Sequence, residues 1–117
     1  MTDRRAWTRA PRPVRPARHE RPAIDDAALA AARAADRVVA ALRERVARRW
    51  LTYFEPLPDR LRDDEIRALR STALRVRAAY GPADSVRDVL PSEVAEPLLD
   101  ATDRLLKLLA RRDAHED

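Results

Sequence analysis

The feature that most constrains the fold is a stretch of 29 residues, 26–54, that contains neither glycine nor proline. Ala, Leu and Arg dominate this stretch, and they are among the strongest helix formers. Its apolar residues recur at the spacing of three and four that marks one face of a helix: Ala32, Ala35, Val39, Leu42, Val46, Trp50 and Tyr53. Pro56 ends the pattern, because the residue before a proline avoids the α conformation. The stretch therefore predicts one long helix of about 43 Å.

This predicted helix has two chemically different parts. Alanines crowd its first third, whereas large apolar side chains occupy residues 38–54. Since large side chains supply most of the buried apolar area, we expect the core to centre on residues 38–54. The alanine-rich part is expected to project beyond shorter neighbouring helices and to let another helix approach closely. Self-association is therefore predicted through Ala28, Ala31 and Ala35.

Two more helices and a connector complete the predicted fold. The second helix opens at the acidic residues 63–65 and stops at Gly81, the only glycine of the chain. The third spans residues 92–112, with a kink or a later start at Pro97. No stretch alternates as a strand does. The predicted fold class is all-α: a three-helix antiparallel bundle over residues 23–112, with one long first helix, a short connector turn between helices 2 and 3, and a frayed C-terminus at residues 113–117.

The positive charge of the chain is concentrated at its N-terminus. Residues 1–22 carry seven arginines and two acids, a net charge of +5, whereas the other 95 residues carry −1. Four prolines and few aliphatic residues predict a disordered or polyproline II arm over residues 1–22. Five arginines recur there at every third residue and would line one edge of a polyproline II helix. These are the candidate polyanion-binding residues: Arg9, Arg12, Arg15, Arg18 and Arg21.

The two tryptophans are candidate contacts for a partner. Trp7 lies alone in the basic arm, where no core is available to it. Trp50 is followed closely by Tyr53 and Phe54, and such a group is typical of a core. Aromatic residues beside arginines are also typical of interface hot spots, so both interpretations stay open for Trp50.

The sequence predicts neither a catalytic nor a metal site. His19 and His115 lie near opposite ends of the chain, and the acidic run 63–65 is typical of a helix N-terminus. No cofactor is expected. The absence of cysteine removes thiolate ligands and disulfides and favours a cytoplasmic location. No apolar run approaches the ~18 residues that would predict a membrane span.

One resemblance to an enzyme family concerns topology. A long helix followed by two shorter ones resembles the small all-helical chorismate mutases, whose dimers hold a dicarboxylate among Arg and Lys side chains. The resemblance implies a small enzyme with an Arg-lined anion pocket. The chain departs from the family pattern, because its first helix has no Lys and Asp64-Glu65-Ile66-Arg67 is followed by Ala68 instead of Glu.

Three hypotheses for function follow. The leading one is a non-enzymatic helical interaction or adaptor module that docks on a protein partner or self-associates, with a basic arm contacting a polyanion or an acidic surface. The alternative is a small regulatory protein that binds DNA or RNA through the arm. The third is the helical enzyme with an Arg-lined anion pocket.

Overall fold

The computed structural model describes residues 18–116, with side chains through Ala114, and this part of the chain is all-α. The predicted all-α class is therefore confirmed. The five α-helices of the described part are α1 (Pro22–Glu44), α2 (Arg48–Phe54), α3 (Leu57–Asp63), α4 (Ile66–Ala78) and α5 (Ser92–Glu116). Two short 3-10 turns, Arg18–Glu20 and Val86–Asp88, precede α1 and α5 respectively.

The prediction of one continuous first helix is wrong, because α1 ends at Glu44 and α2 begins only at Arg48. The N–H of Val46 donates to the carbonyl of Arg43 at 3.2 Å, and the N–H of Ala47 donates to that of Leu42 at 3.1 Å. These two bonds form a Schellman end, the usual way to satisfy the last carbonyls of a helix. The turn redirects the chain so that the next helix buries its aromatic residues.

The described part has five α-helices instead of the predicted three. Two helices of seven residues, α2 and α3, follow α1 where the sequence predicted a continued helix and a turn. Leu57 and Leu61 of α3 are completely buried, as is Phe54 of α2, so both short helices contribute to the core. The interrupted first helix also removes the topological basis for the resemblance to chorismate mutases.

The alanine-rich face of α1 is part of the core. Ala28, Ala31 and Ala35 have no exposed surface, and α1 packs mainly against α5 and next against α3. The prediction that these alanines project from the bundle is wrong for a reason of length. With 23 residues α1 is about 34 Å long, and with 25 residues α5 is about 37 Å, long enough to cover it.

The connector and α5 position the end of α4. The turn Val86–Asp88 is capped by Ser85, whose Oγ accepts from the N–H of Arg87 at 3.1 Å. The helix α5 begins at Ser92, runs through Pro97 without a new start, and continues to Glu116, beyond the predicted end at residue 112.

Among the described helices, none has the length and apolar character that a membrane span requires.

Candidate interaction surface

The predicted polyanion-binding residues fall into two groups. Trp7, Arg9, Arg12 and Arg15 lie outside the described residues, so their roles stay predictions. Arg18 and Arg21 lie inside them, in and directly after the first 3-10 turn, and both are half-buried. Of the predicted arm, residues 18–20 form a 3-10 turn, and Pro22 is the first residue of α1.

Arg18 is held against the bundle by hydrogen bonds. Its Nε donates to Oδ1 of Asp25 at 2.8 Å, and its Nη1 donates to the carbonyls of Leu61 at 2.8 Å and Arg62 at 2.6 Å. Those carbonyls lie in the last turn of α3, where a helix leaves acceptors unpaired and favours a cation. The Arg18 side chain is only 12% exposed. It stabilises the fold and does not present its guanidinium on an arm.

Trp50 also belongs to the fold. It is 8% exposed, and its ring meets Tyr53 edge-on with 5.7 Å between centroids. The guanidinium of Arg49 covers the ring at 4.8 Å from its centroid and pairs with Asp84. The core interpretation therefore holds for Trp50, and the interpretation as an exposed interface residue is wrong.

The surface that the structure reveals lies on the outer side of α4. The inner side of this helix is buried and includes Ile66, Leu69 and Val76. The helix contains four arginines and no acidic residue, and all four arginines are exposed. Leu74 lies among them with 44% of its surface exposed. We name this surface the α4 basic face, formed by Arg67, Arg70, Leu74, Arg75 and Arg77.

Helical geometry explains the arrangement of the α4 basic face. At 100° per residue, Leu74 and Arg67 lie near the middle of the exposed arc, with Arg70 and Arg77 on one side and Arg75 on the other. An apolar side chain is therefore surrounded by guanidinium groups. One apolar residue surrounded by several positive charges is suited to recognition of an acidic partner.

The four arginines of the α4 basic face have different environments. Arg77 pairs with Asp103 of α5. Arg75 lies over the ring of Tyr53 at 4.5 Å from its centroid, and the Tyr53 hydroxyl donates to the carbonyl of Arg75 at 2.6 Å. Arg67 and Arg70 make no ion pair with any residue from 18 to 114. Two guanidinium groups are thus available to a partner, and a third is held in place by an aromatic ring.

Sequence reasoning did not identify this surface, although one signal was present. Leu74 is absent from the apolar set Ile66, Leu69, Ala73, Val76 and Tyr80 that defines the inner side of the helix. An apolar residue outside the period, with arginines three or four positions away, marks an exposed leucine in a basic environment. In an arginine-rich chain the basic residues alone do not provide that signal.

Two ion pairs outside the α4 basic face join other parts of the fold. The Arg49 guanidinium holds the pKa of Asp84 below its ordinary value through a hydrogen bond, and Arg87 does the same for the pKa of Glu96. Within the described part, no group of three or more His, Cys, Asp or Glu residues is placed to hold a metal ion. His19 is exposed and lies 4.0 Å from Glu20.

The comparisons with known proteins place no relative beside this chain. No protein-family model, no curated protein and no solved structure matches it. The α4 basic face and the charge of the N-terminal residues are therefore the features that indicate a function.

Proposed function

We propose that this chain is a non-enzymatic helical interaction module, a bundle whose three longer helices pack antiparallel. Its ligand is an acidic, amphipathic segment of a protein partner, which docks on the α4 basic face. The observation that carries the proposal is the composition of α4, which has four exposed arginines around an exposed leucine and no acid.

The charge balance of the chain supports this proposal. Residues 18–117 contain 19 basic and 19 acidic side chains, so the folded part has no net charge to explain a basic surface. Within that balance, α4 concentrates four positive charges, and two of them, Arg67 and Arg70, make no ion pair with any residue from 18 to 114. A surface of one sign steers an oppositely charged partner toward it, and the planar guanidinium forks suit carboxylates.

Leu74 favours a protein partner over a nucleic acid. A phosphate backbone offers little apolar area to an exposed leucine, whereas an amphipathic helix offers apolar residues at spacings of three and four beside its acids. Arginine is also enriched among the residues that dominate the energy of protein interfaces.

The N-terminal residues support a second function. Residues 1–17 contain five arginines and one acid, so their charge of +4 equals that of the whole chain. We propose that Arg9, Arg12 and Arg15 bind a polyanion by electrostatic contact without reading sequence. This second function is independent of the α4 basic face.

Fluorescence anisotropy with a defined peptide tests the first function. The probe is a labelled 20-residue peptide in which leucines at helical spacing alternate with glutamates. We expect the double variant Arg67→Glu with Arg70→Glu to weaken binding by about tenfold or more, and Leu74→Ser to weaken it measurably. The matched control is Arg33→Glu with Arg37→Glu on α1, a pair that is also exposed and has the same change in charge. Equal losses in the two double variants would reduce the effect to net charge and contradict a defined face.

A labelled DNA duplex of 20 base pairs tests the second function with the same chains. If all five arginines of residues 1–17 contact phosphates, log K falls with log salt at a slope of about −4 to −5. Deletion of residues 1–17 should abolish duplex binding and leave peptide binding unchanged. Duplex binding that survives this deletion but is lost in the Arg67→Glu, Arg70→Glu variant would make nucleic acid the ligand of the α4 basic face.

A further inference from the structure

The turn between α1 and α2 contains a backbone conformation that its sequence does not favour. Val46 has φ 54°, in the left-handed region, at the position after a helix where glycine is usual. A β-branched residue there is a true outlier, because its branched side chain crowds the backbone. Val46 is 71% exposed, so no burial offsets this cost.

The same residue fits a continuous helix much better. Leu42 lies four positions before Val46 and Trp50 four positions after it, so a straight helix places all three on one apolar stripe. No glycine or proline lies between residues 26 and 54 to oppose such a helix. The most exposed large hydrophobic residue of the described part is thus one that a straight helix would place on its apolar side.

We propose that residues 45–47 form a hinge that straightens, and that the straightened chain exchanges residues 18–44 with a second copy of itself. In the exchanged pair α1 and α2 form one helix. Each α1 then packs against α3 and α5 of the other copy, and each Arg18 binds the carbonyls of the other copy's α3. Short hinges under strain are known to favour this type of exchange.

When α1 moves away, it uncovers a surface on α3 and α5. The shape and chemistry of that surface indicate that α1 of a second copy covers it. The buried face of α1 is mostly alanine, and it packs mainly against α5; Ala28, Ala31 and Ala35 on this face have no exposed surface. Only residues 18–44 of a second copy carry the same small side chains together with Arg18 and Asp36, which bind α3. Exchange therefore rebuilds these contacts and gives up mainly local ones, such as the exposed ion pair between Arg43 and Glu55. The proposal does not depend on the α4 basic face.

Light scattering after size-exclusion chromatography provides the first test. The full chain is unfolded, refolded at high concentration and compared with chain refolded at high dilution. We expect a dimer only from the concentrated sample. Val46→Gly favours the left-handed turn and disfavours the straight helix, by about tenfold per chain and hence about a hundredfold in the dimer dissociation constant.

A second variant acts on the straight helix through a different residue. Arg48 is the first residue of α2, where proline fits the backbone and removes only the hydrogen bond from the Arg48 N–H to the carbonyl of Val46, whereas proline in the interior of a continuous helix breaks it. Arg48→Pro should therefore keep the monomer folded and prevent the dimer. The matched control is Ala40→Gly, an exposed position within α1 that weakens the helix equally in both states and should leave the dimer constant unchanged.

Crosslinking decides whether the dimer is exchanged. The chain has no cysteine, so Asp36→Cys in one copy and Arg62→Cys in another give one site each. These positions face each other between α1 and α3. A short bis-maleimide should join the two chains after joint refolding at high concentration and leave them separate after refolding apart. Absence of a dimer, a dimer insensitive to Val46→Gly and Arg48→Pro, or a dimer without this crosslink would each overturn the proposal.

Discussion

The hydroxyl of Tyr80 is a buried polar group that links the end of α4 to α5. It donates to the carbonyl of Ala95 at 2.6 Å, and the residue is 7% exposed. Burial raises the pKa of the phenol well above its ordinary value, and the nearby carboxylate of Glu96 adds to the effect. The neutral phenol is thus the form that the folded state accommodates.

We expect this tyrosine to make the protein sensitive to alkali. In the unfolded chain the phenol ionises near pH 10, whereas in the folded chain it stays protonated to higher pH. Its contribution to stability is complete below about pH 10 and is lost as the pH rises above that value. Denaturant titrations between pH 8 and pH 11 should show this loss in the wild type and a smaller loss in Tyr80→Phe. At pH 8 the variant should be less stable by about 1 kcal/mol, from the lost hydrogen bond. Parallel pH profiles for the two proteins would contradict this expectation.

At the scale of elements, the sequence predicted which segments are helical better than where they end. The period of Val39 and Leu42 placed the inner side of α1 correctly, and the starts of α4 and α5 lie within a few residues of prediction. The break at residues 45–47 was not predictable from local signals. It arises because burial of Trp50 and Phe54 outweighs the helix propensity of the turn, and that burial depends on the rest of the fold.

The alanine-rich side of α1 and the α4 basic face show the same limit of prediction from sequence. Small side chains at Ala28 and Ala31 permit close approach by a helix, but they do not specify whether that helix comes from the same chain. The length of α5 decides the matter, since α5 is slightly longer than α1 and the two helices pack together. For the α4 basic face, four arginines become one surface only when the opposite side of the helix is known to be buried. Leu74 was the one residue whose position in the sequence carried that information.

The close packing of α1 on α5 gives a prediction at the scale of helices. Ala31 is completely buried, so Ala31→Leu must force the two helices apart and should lower the free energy of unfolding by about 1 to 3 kcal/mol. Ala40→Leu, at an exposed position of the same helix, should change it by less than about 0.5 kcal/mol. Chemical denaturation measures both. If the two variants are equally stable and only Ala31→Leu loses a dimer, these alanines form an interface between two copies.

For the whole molecule, the net charge divides the chain near Arg18. Residues 1–17 hold a net charge of +4, whereas the residues from 18 onward are balanced. Arg18 joins the bundle through its side chain, which contacts carbonyls more than forty residues away in sequence. The functional arm that we propose and the folded module should therefore separate between residues 17 and 18.

Two truncations test this division. Removal of residues 1–17 should change the free energy of unfolding by less than about 0.5 kcal/mol, because none of the Arg18 contacts is lost. Removal of residues 1–20 also deletes Arg18 and leaves the last carbonyls of α3 and the carboxylate of Asp25 without their guanidinium. Charge-assisted hydrogen bonds of this kind contribute about 1.5 to 3 kcal/mol, so we expect a loss of about that size.

In the full chain, Arg18→Lys should lose part of this contribution to the free energy of unfolding, because an ammonium cannot bind the carboxylate and the carbonyls with the same planar geometry. Denaturant unfolding of the four proteins gives the answer: if both truncations are as stable as the full chain, the Arg18 contacts contribute nothing, and if both are equally destabilised, residues 1–17 are part of the folded module.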